Sequence, residues 1–304
     1  PHRRGGPRLF LVKQMFTAAV TSGLVLGGMY ALIAMGLTLQ YGVARIMNLA
    51  HGELMIAAAF AAFWLFTSTA VNPLLGLLLV VPAAFAVSWA IYRLLLTPLV
   101  RRAPNRDALE VDSILATFGM LFVIQGVMLV MFGGAYYSYS FLAFPVTIAG
   151  TAIAANRLLA LGFAAVLGLG LYLYLTRTRL GTAVRAVAVD PQSAPLVAID
   201  VKATAALAFA FGGALVAAGG VLVSMFLTFN ANIGVVFTMK ALIVVIMGGV
   251  GNLLGCLVAG LILGLAETFV ATFVDPGLTL ATTYAIFLVI LLVRPQGLFG
   301  TASR

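Results

Sequence analysis

Apolar runs of about one bilayer crossing, separated by short polar stretches, set the plan of this chain. Met15 to Leu39 carries no charge, and the polar stretch Gln40 to Leu54 follows it. Further spans are predicted over 54–67, 74–92, 113–132, 158–176, 204–227, 237–247, 253–266 and 280–293. A crossing takes about 20 apolar residues at 1.5 Å of rise each, so five of these runs suffice, while the second, seventh, eighth and ninth are short. The pattern predicts an all-α polytopic membrane protein with about 8–9 transmembrane helices, some of the central ones short or broken. Five segments follow: a basic tail (1–14), a first transmembrane half (15–176), a polar excursion (177–202), a second half (203–293) and a C-terminal tail (294–304). Gly23 and Gly27, four apart in the first span, allow close helix approach in lipid.

Composition agrees. Hydrophobic residues make up 63% and charged residues 8%, against roughly 45–50% and about 25% in ordinary globular domains. The net charge of +9 does not point to nucleic acid, because the basic residues lie between spans and not on one face of a domain. They serve as orientation signals. The segments 93–112 (with Arg101, Arg102, Pro104 and Arg106) and 177–202 and the tail after Val293 hold ten of the seventeen Lys and Arg, and the connectors near 67–73, 133–156, 228–234 and 275–279 hold none. The positive-inside rule puts the first set in the cytoplasm. Nine spans then leave the N-terminus outside despite Arg3, Arg4, Arg8 and Lys13, unless the stretch 40–54 is re-entrant. The first span lacks a small-residue cleavage site and is expected to persist as structure. The aromatic connector 133–156 (Tyr136, Tyr137, Tyr139, Phe141, Phe144) is expected at headgroup level on the outer surface.

Candidate chemistry is concentrated in three places. The excursion 177–202 carries Arg177, Arg179, Arg185, Lys202, Asp190 and Asp200 between two charge-free runs. Asp190-Pro191 there is predicted to start a helix, with an N-cap acceptor followed by a residue that needs no donor. It is either an ordinary basic cytoplasmic loop or a docking surface for a soluble partner. Asn48, His51 and Glu53 in the first half, and Gly248 to Asn252 in the second, interrupt apolar helices. Paired interruptions of this kind point to a permeation route, because freed backbone is tolerated only where protein or a watery cavity covers it. Asn48, His51 and Glu53 either cap the second span at the membrane edge or face the substrate, and the glycine run is either close packing or pathway. Lys240 and Glu267 are embedded charges expected to neutralise one another, and Arg45 and Arg157 are expected to snorkel.

Several absences narrow the function. No phosphate-binding Gly-rich loop ending in Lys-Ser/Thr is present, no His/Glu pair has metal-ligand spacing on a helix face, and Cys256 is the single cysteine. No catalytic group and no metal site is expected.

The ordered motifs Gly27-Gly28-Met29-Tyr30-Ala31-Leu32, Gly36-Leu37-Thr38, Asn48-Leu49-Ala50-His51-Gly52-Glu53-Leu54, Gly181 to Ala188 with Ile199-Asp200-Val201, Gly248 to Asn252 with Gly255, and Arg294 to Gly300 resemble the permeases of bacterial branched-chain amino acid ABC importers. The likeness runs from about residue 20 to 300 and is nearest the first of the two related permease subunits. It implies a type II importer fold in the bacterial inner membrane, a second homologous permease subunit, two ATP-binding subunits that hold the ATP this chain lacks, an extracytoplasmic substrate-binding protein, and surrounding lipid. Under that resemblance Asn48, His51, Glu53, Asn252, Lys240 and Glu267 belong to the substrate pathway. Arg179, Gly181, Arg185, Asp190, Pro191 and Asp200 belong to the loop that couples to the ATPase. The family pattern has Gly where this chain has Ala198, and Pro195 is expected to kink or shorten the second helix of that loop. Urea and short-amide permeases carry nearly the same motifs and are an alternative, and an ion-coupled secondary transporter is another.

Overall fold

The structure, a computed structural model, describes residues 7–103, 105–148 and 151–300; Arg3, Arg4, Pro104 and residues 301–304 lie outside the described residues. Helix α1 spans Pro7–Ala44, α2 His51–Thr69 and α3 Pro73–Ile91, which continues through a π turn at Tyr92–Leu96 into α4, Thr97–Arg102. Then come α5 (Arg106–Phe132), an antiparallel hairpin β1 (Pro145–Ile148) and β2 (Thr151–Ala154), α6 (Ala155–Arg177), α7 (Arg179–Val189) and a 3-10 turn at Ala194–Val197. The last elements are α8 (Val201–Ser224), α9 (Gly234–Gly248), α10 (Leu253–Phe273), a 3-10 turn at Pro276–Leu278 and α11 (Thr279–Val293). Eight helical segments among the described residues are long and apolar enough to cross a membrane, and α9 is a shorter apolar helix.

Several boundaries differ from the sequence pattern. The first helix runs five residues beyond Leu39, so the break shrinks to 45–50 and His51 to Glu53 form the first turn of α2. Among its described residues the segment 93–112 is helical except at Ala103 and Asn105, and the Asn105 side chain accepts from the Ala108 amide and caps α5. Charge density there suggested a loop, but basic residues at the ends of long helices are compatible with helical backbone. The connector 133–156 contains the hairpin, the only strand pairing besides an isolated bridge between Tyr137 and Phe229 among the described residues. Its rings divide between packed and exposed positions. Tyr137 packs edge-on against Phe60 and Phe63, and Tyr139 stacks on Phe66, while Tyr136 and Phe144 stay exposed.

The core is built on α8, whose Ala- and Gly-rich surface is almost wholly buried among α1, α2 and α3. Such small side chains let helix backbones approach closely where no hydrophobic drive operates between them. Against α10 the same device appears twice. A methyl at Gly27 would sit 2.8 Å from the Leu261 Cα, and one at Gly23 would sit 2.9 Å from the Leu265 Cα. Gly260 and Gly264 return the same spacing from α10. By contrast α3, α5 and α11 present Leu78, Leu115, Val130 and Leu292 outward, the surface expected against lipid or another membrane chain.

The two ends of the bundle differ. At one end Tyr41 donates to Glu110 at 2.8 Å, and the Arg45 guanidinium donates to the Ala188 carbonyl at 3.2 Å. The C-terminal residues 298–300 lie there too, beside the α9–α10 turn. At the other end Ala18, Thr21 and Ser22 of α1 face Ser138, Tyr139, Asn156 and Thr228 around a cavity of about 420 Å³. The early part of α1 therefore lies at the end opposite α7, which requires an odd number of crossings. Buried Cys256 gives no accessible thiol background among the described residues. A cysteine at Lys13 should react with a membrane-impermeant maleimide in intact cells, and one at Ser193 only after permeabilisation; the reverse pattern would overturn the orientation.

Candidate translocation site and coupling surface

The break 45–50 turns inward and does not stay at the membrane edge. Its first residue, Arg45, takes a left-handed backbone with φ of 55°. Six residues later His51 donates from Nε2 to the Ile33 carbonyl at 3.0 Å. Ile33 lies eleven residues inside the end of α1 at Ala44, a depth of about 16 Å at the helical rise. Asn48, His51 and Glu53 are all fully buried. The freed backbone is paired with side chains from other helices. Thr117 of α5 donates to the Met47 carbonyl and accepts from the Leu49 amide, and Thr238 of α9 donates to the Leu49 carbonyl and accepts from the Gly52 amide. Asn48 accepts from the Ala50 amide and donates to Gln40, which in turn donates to the Phe209 carbonyl of α8. Backbone buried in hydrocarbon needs such partners.

Glu53 stands apart from this network. Neither of its carboxyl oxygens has a hydrogen-bond partner of ordinary geometry, and the backbone donor nearest to acting on it is the Val235 amide in the first turn of α9. His51 Nδ1 is likewise unpartnered.

Lys240 and Glu267 do pair, at 2.8 Å. Tyr30 joins them: Lys240 donates to its hydroxyl at 2.7 Å, the hydroxyl donates to Glu267 at 2.8 Å, and the ammonium also lies 4.7 Å from the ring centroid. Thr283 of α11 donates to the other carboxyl oxygen. The network joins α1, α9, α10 and α11 and leaves neither charge uncompensated. Tyr30 and Thr283 were not legible in advance, because nothing in sequence places them beside the pair.

Asn252 is separated from Asn48 and sits at the basic end. Its side chain accepts from the Gly255 amide, capping α10, and donates to the Phe299 carbonyl. The Leu298 and Phe299 amides donate to the Met247 and Gly248 carbonyls, so the C-terminal segment closes the open end of α9. Gly249 turns the chain there with φ of 99°, a region that suits glycine.

On the excursion, α7 turns Gly181, Val184 and Val187 inward, and a methyl at Gly181 would lie 2.5 Å from the Leu175 Cα of α6. Arg179 and Arg185 point outward. Asp190 does not start an α-helix; its side chain accepts from the Gln192 and Ser193 amides in a turn. The expected second helix is reduced to the 3-10 turn containing Pro195, which fits in its first residues where no donor is needed. Ala198 ends that turn in a left-handed conformation, φ 60°, a region that suits glycine better than alanine. Asp200 accepts from the Lys202 and Ala203 amides and caps α8. Val189, Leu196 and Val197 are left exposed at the tip, at 84%, 86% and 69%.

The family model of the branched-chain amino acid transport system permease component matches residues 19–294. The chain belongs to that permease family. It is 29% identical to the high-affinity branched-chain amino acid transport system permease protein LivH of Escherichia coli, with 96% of each chain covered. It is 30% identical to the corresponding protein BraD of Pseudomonas aeruginosa over 92% of this chain and 94% of that one. A probable LivH of Methanocaldococcus jannaschii is 24% identical over 95% of each. No solved structure matches the chain. The protein is accordingly a multi-pass inner-membrane permease, a transport component and not an enzyme, with the all-α polytopic architecture described above.

Within this permease the ion pair is buried and compensated on both sides. Removing one partner of a buried pair leaves an uncompensated charge and typically costs about 3–5 kcal/mol, whereas apolar replacement of both is near neutral. Lys240→Ala and Glu267→Ala should each lower the thermal unfolding midpoint of the purified protein by several degrees, and Lys240→Met with Glu267→Leu should recover most of the loss. Equal loss in the double variant would show that the pair acts otherwise.

Proposed function

We propose that this chain is the membrane-spanning subunit of an ABC importer that carries branched-chain amino acids inward across the cytoplasmic membrane. It holds no cofactor of its own; ATP is bound and hydrolysed by two partner subunits. A second homologous permease subunit completes the pathway, and an extracytoplasmic binding protein delivers substrate. The relatives' names support the substrate class, and Asn48, His51 and Glu53 form the buried part of the route. Asn252 serves at the α9–α10 turn, and Lys240 with Glu267 stabilises the helices around the route.

The observation that carries this reading is the tip of the 177–202 excursion. Val189, Leu196 and Val197 expose apolar surface on the excursion, with the exposed Arg185 one helical turn before Val189. Apolar residues clustered with arginines on such a surface suit a protein partner better than solvent. The inner face of α7 is fixed to the body through Gly181, and the Arg45 contact to Ala188 ties it to the break that leads to His51 and Glu53. A push on α7 by the closing ATPase is thereby passed to the start of α2, in keeping with rigid-body switching.

In a reconstituted transporter, Arg185→Glu or deletion of 188–198 should reduce substrate-stimulated ATP hydrolysis and uptake by at least about tenfold, as loss of an interface anchor does, with membrane insertion retained. Normal stimulated hydrolysis would sink the coupling role. Leucine should compete for uptake where urea and short amides do not; the opposite order would move the substrate to amides.

A further inference from the structure

Among the described residues, Glu53 combines full burial with a carboxyl group whose two oxygens both lack a partner of ordinary geometry. Buried polar groups are almost always satisfied, so an exception calls for a reason. Its carboxyl group is aimed at the start of α9: a methyl on Gly234 would lie 2.5 Å from the Glu53 Cδ and 2.6 Å from Oε2. The residue at the cap of α9 is Ile233, which offers no side-chain acceptor. A helix of 15 residues thus begins inside the protein with its partial positive charge facing one unsatisfied carboxyl group. Gly52 and Gly234 hold α2 and α9 in close contact, and the Gly52 amide donates to Thr238 at 2.8 Å.

The neighbouring surface is apolar. Ala57 and Ala61 follow Glu53 at intervals of four on α2, so they share its face. They line a groove of about 580 Å³ with Phe60, Trp64, Ile124 and Met128. One helical turn therefore separates an anionic group and a helix amino terminus from a slot for hydrocarbon. An ammonium beside a carboxylate, on an aliphatic branch, is the chemical complement of that arrangement. Half-helix amino termini take anionic substrate groups in other transporters on the same electrostatic ground.

We propose that Glu53 and the first turn of α9 recognise the head group of the transported amino acid. The Glu53 carboxylate receives the substrate ammonium, the first-turn amides of α9 receive the substrate carboxylate, and the aliphatic side chain enters the Ala57–Met128 groove. In this structure α2 and α9 touch and the two protein groups face each other. Substrate enters when the helices part. The inference rests on the amino acid substrate proposed above and adds the atoms that read it.

The test measures direct binding to the assembled transporter without the soluble binding protein. Its probes are leucine, 4-methylpentanoate, which lacks the ammonium, and 3-methylbutylamine, which lacks the carboxylate. Wild type should bind leucine at least about tenfold more tightly than either analogue, the worth of one charge-assisted contact. Glu53→Gln should bring leucine down to the level of 4-methylpentanoate and leave 4-methylpentanoate itself within about twofold of wild type. A purely structural role would weaken all three ligands together, and that result would overturn the proposal. If Glu53→Gln fails to assemble, wild type alone decides, since equal affinity for leucine and 4-methylpentanoate, or no leucine binding, would overturn it. Leucine uptake by wild type is run in parallel: its absence would sink the substrate assignment, whereas uptake with head-group-blind binding would sink only this site.

Discussion

Backbone that leaves a helix inside a membrane must be covered by protein, and the close packing of glycine- and alanine-rich helices makes that cover possible here. The α1–α10 crossing through Gly23, Gly27, Gly260 and Gly264, and the buried α8, bring side chains within reach of the break at 45–50. Thr117, Thr238 and Asn48 then pair its carbonyls and amides, and Gln40 holds the Asn48 side chain. Without that cover each freed group would be left unsatisfied in hydrocarbon, at several kcal/mol apiece. The second break, at Gly248 to Asn252, is covered differently, by the permease's own C-terminal residues Leu298 and Phe299.

This division separates a deep site from a surface one. The first break carries ionisable groups into the core, where the Glu53 carboxyl group meets only the first turn of α9. The second lies at the basic end beside α7, where Arg45, Arg185, Asn252 and Gly300 surround a cavity of about 490 Å³. Arg45 belongs to both regions. Its backbone begins the inward turn, and its guanidinium holds the last turn of α7. One residue thus links the surface proposed to meet the ATPase with the chain leading to Glu53, over a path of packed and hydrogen-bonded groups rather than a flexible connector.

The embedded charges show how environment decides role. Lys240 and Glu267 come from neighbouring helices, meet one another and add Tyr30 and Thr283. A pair satisfied in this way is poorly suited to exchange ions, which weakens the ion-coupled alternative. Glu53 has the same chemistry as Glu267 but faces a helix amino terminus instead of a cation. Similar burial therefore leads to a lock in one place and an available site in the other.

The sequence by itself determined the membrane class, the basic end and the locations of both breaks, because hydrocarbon demands long apolar runs and charges mark where they stop. It also placed the polar excursion, and its departures at Pro195 and Ala198 fall where the structure has a 3-10 turn and a left-handed residue. Tertiary structure decided the rest. Whether His51 and Glu53 sit at the edge or some 16 Å inside depends on which way six residues turn, and local pattern carries no record of depth. That Glu53 meets Gly234, that Asn252 meets Phe299, and that Tyr30 joins Lys240 are long-range pairings, selected by how closely helices distant in sequence can pack.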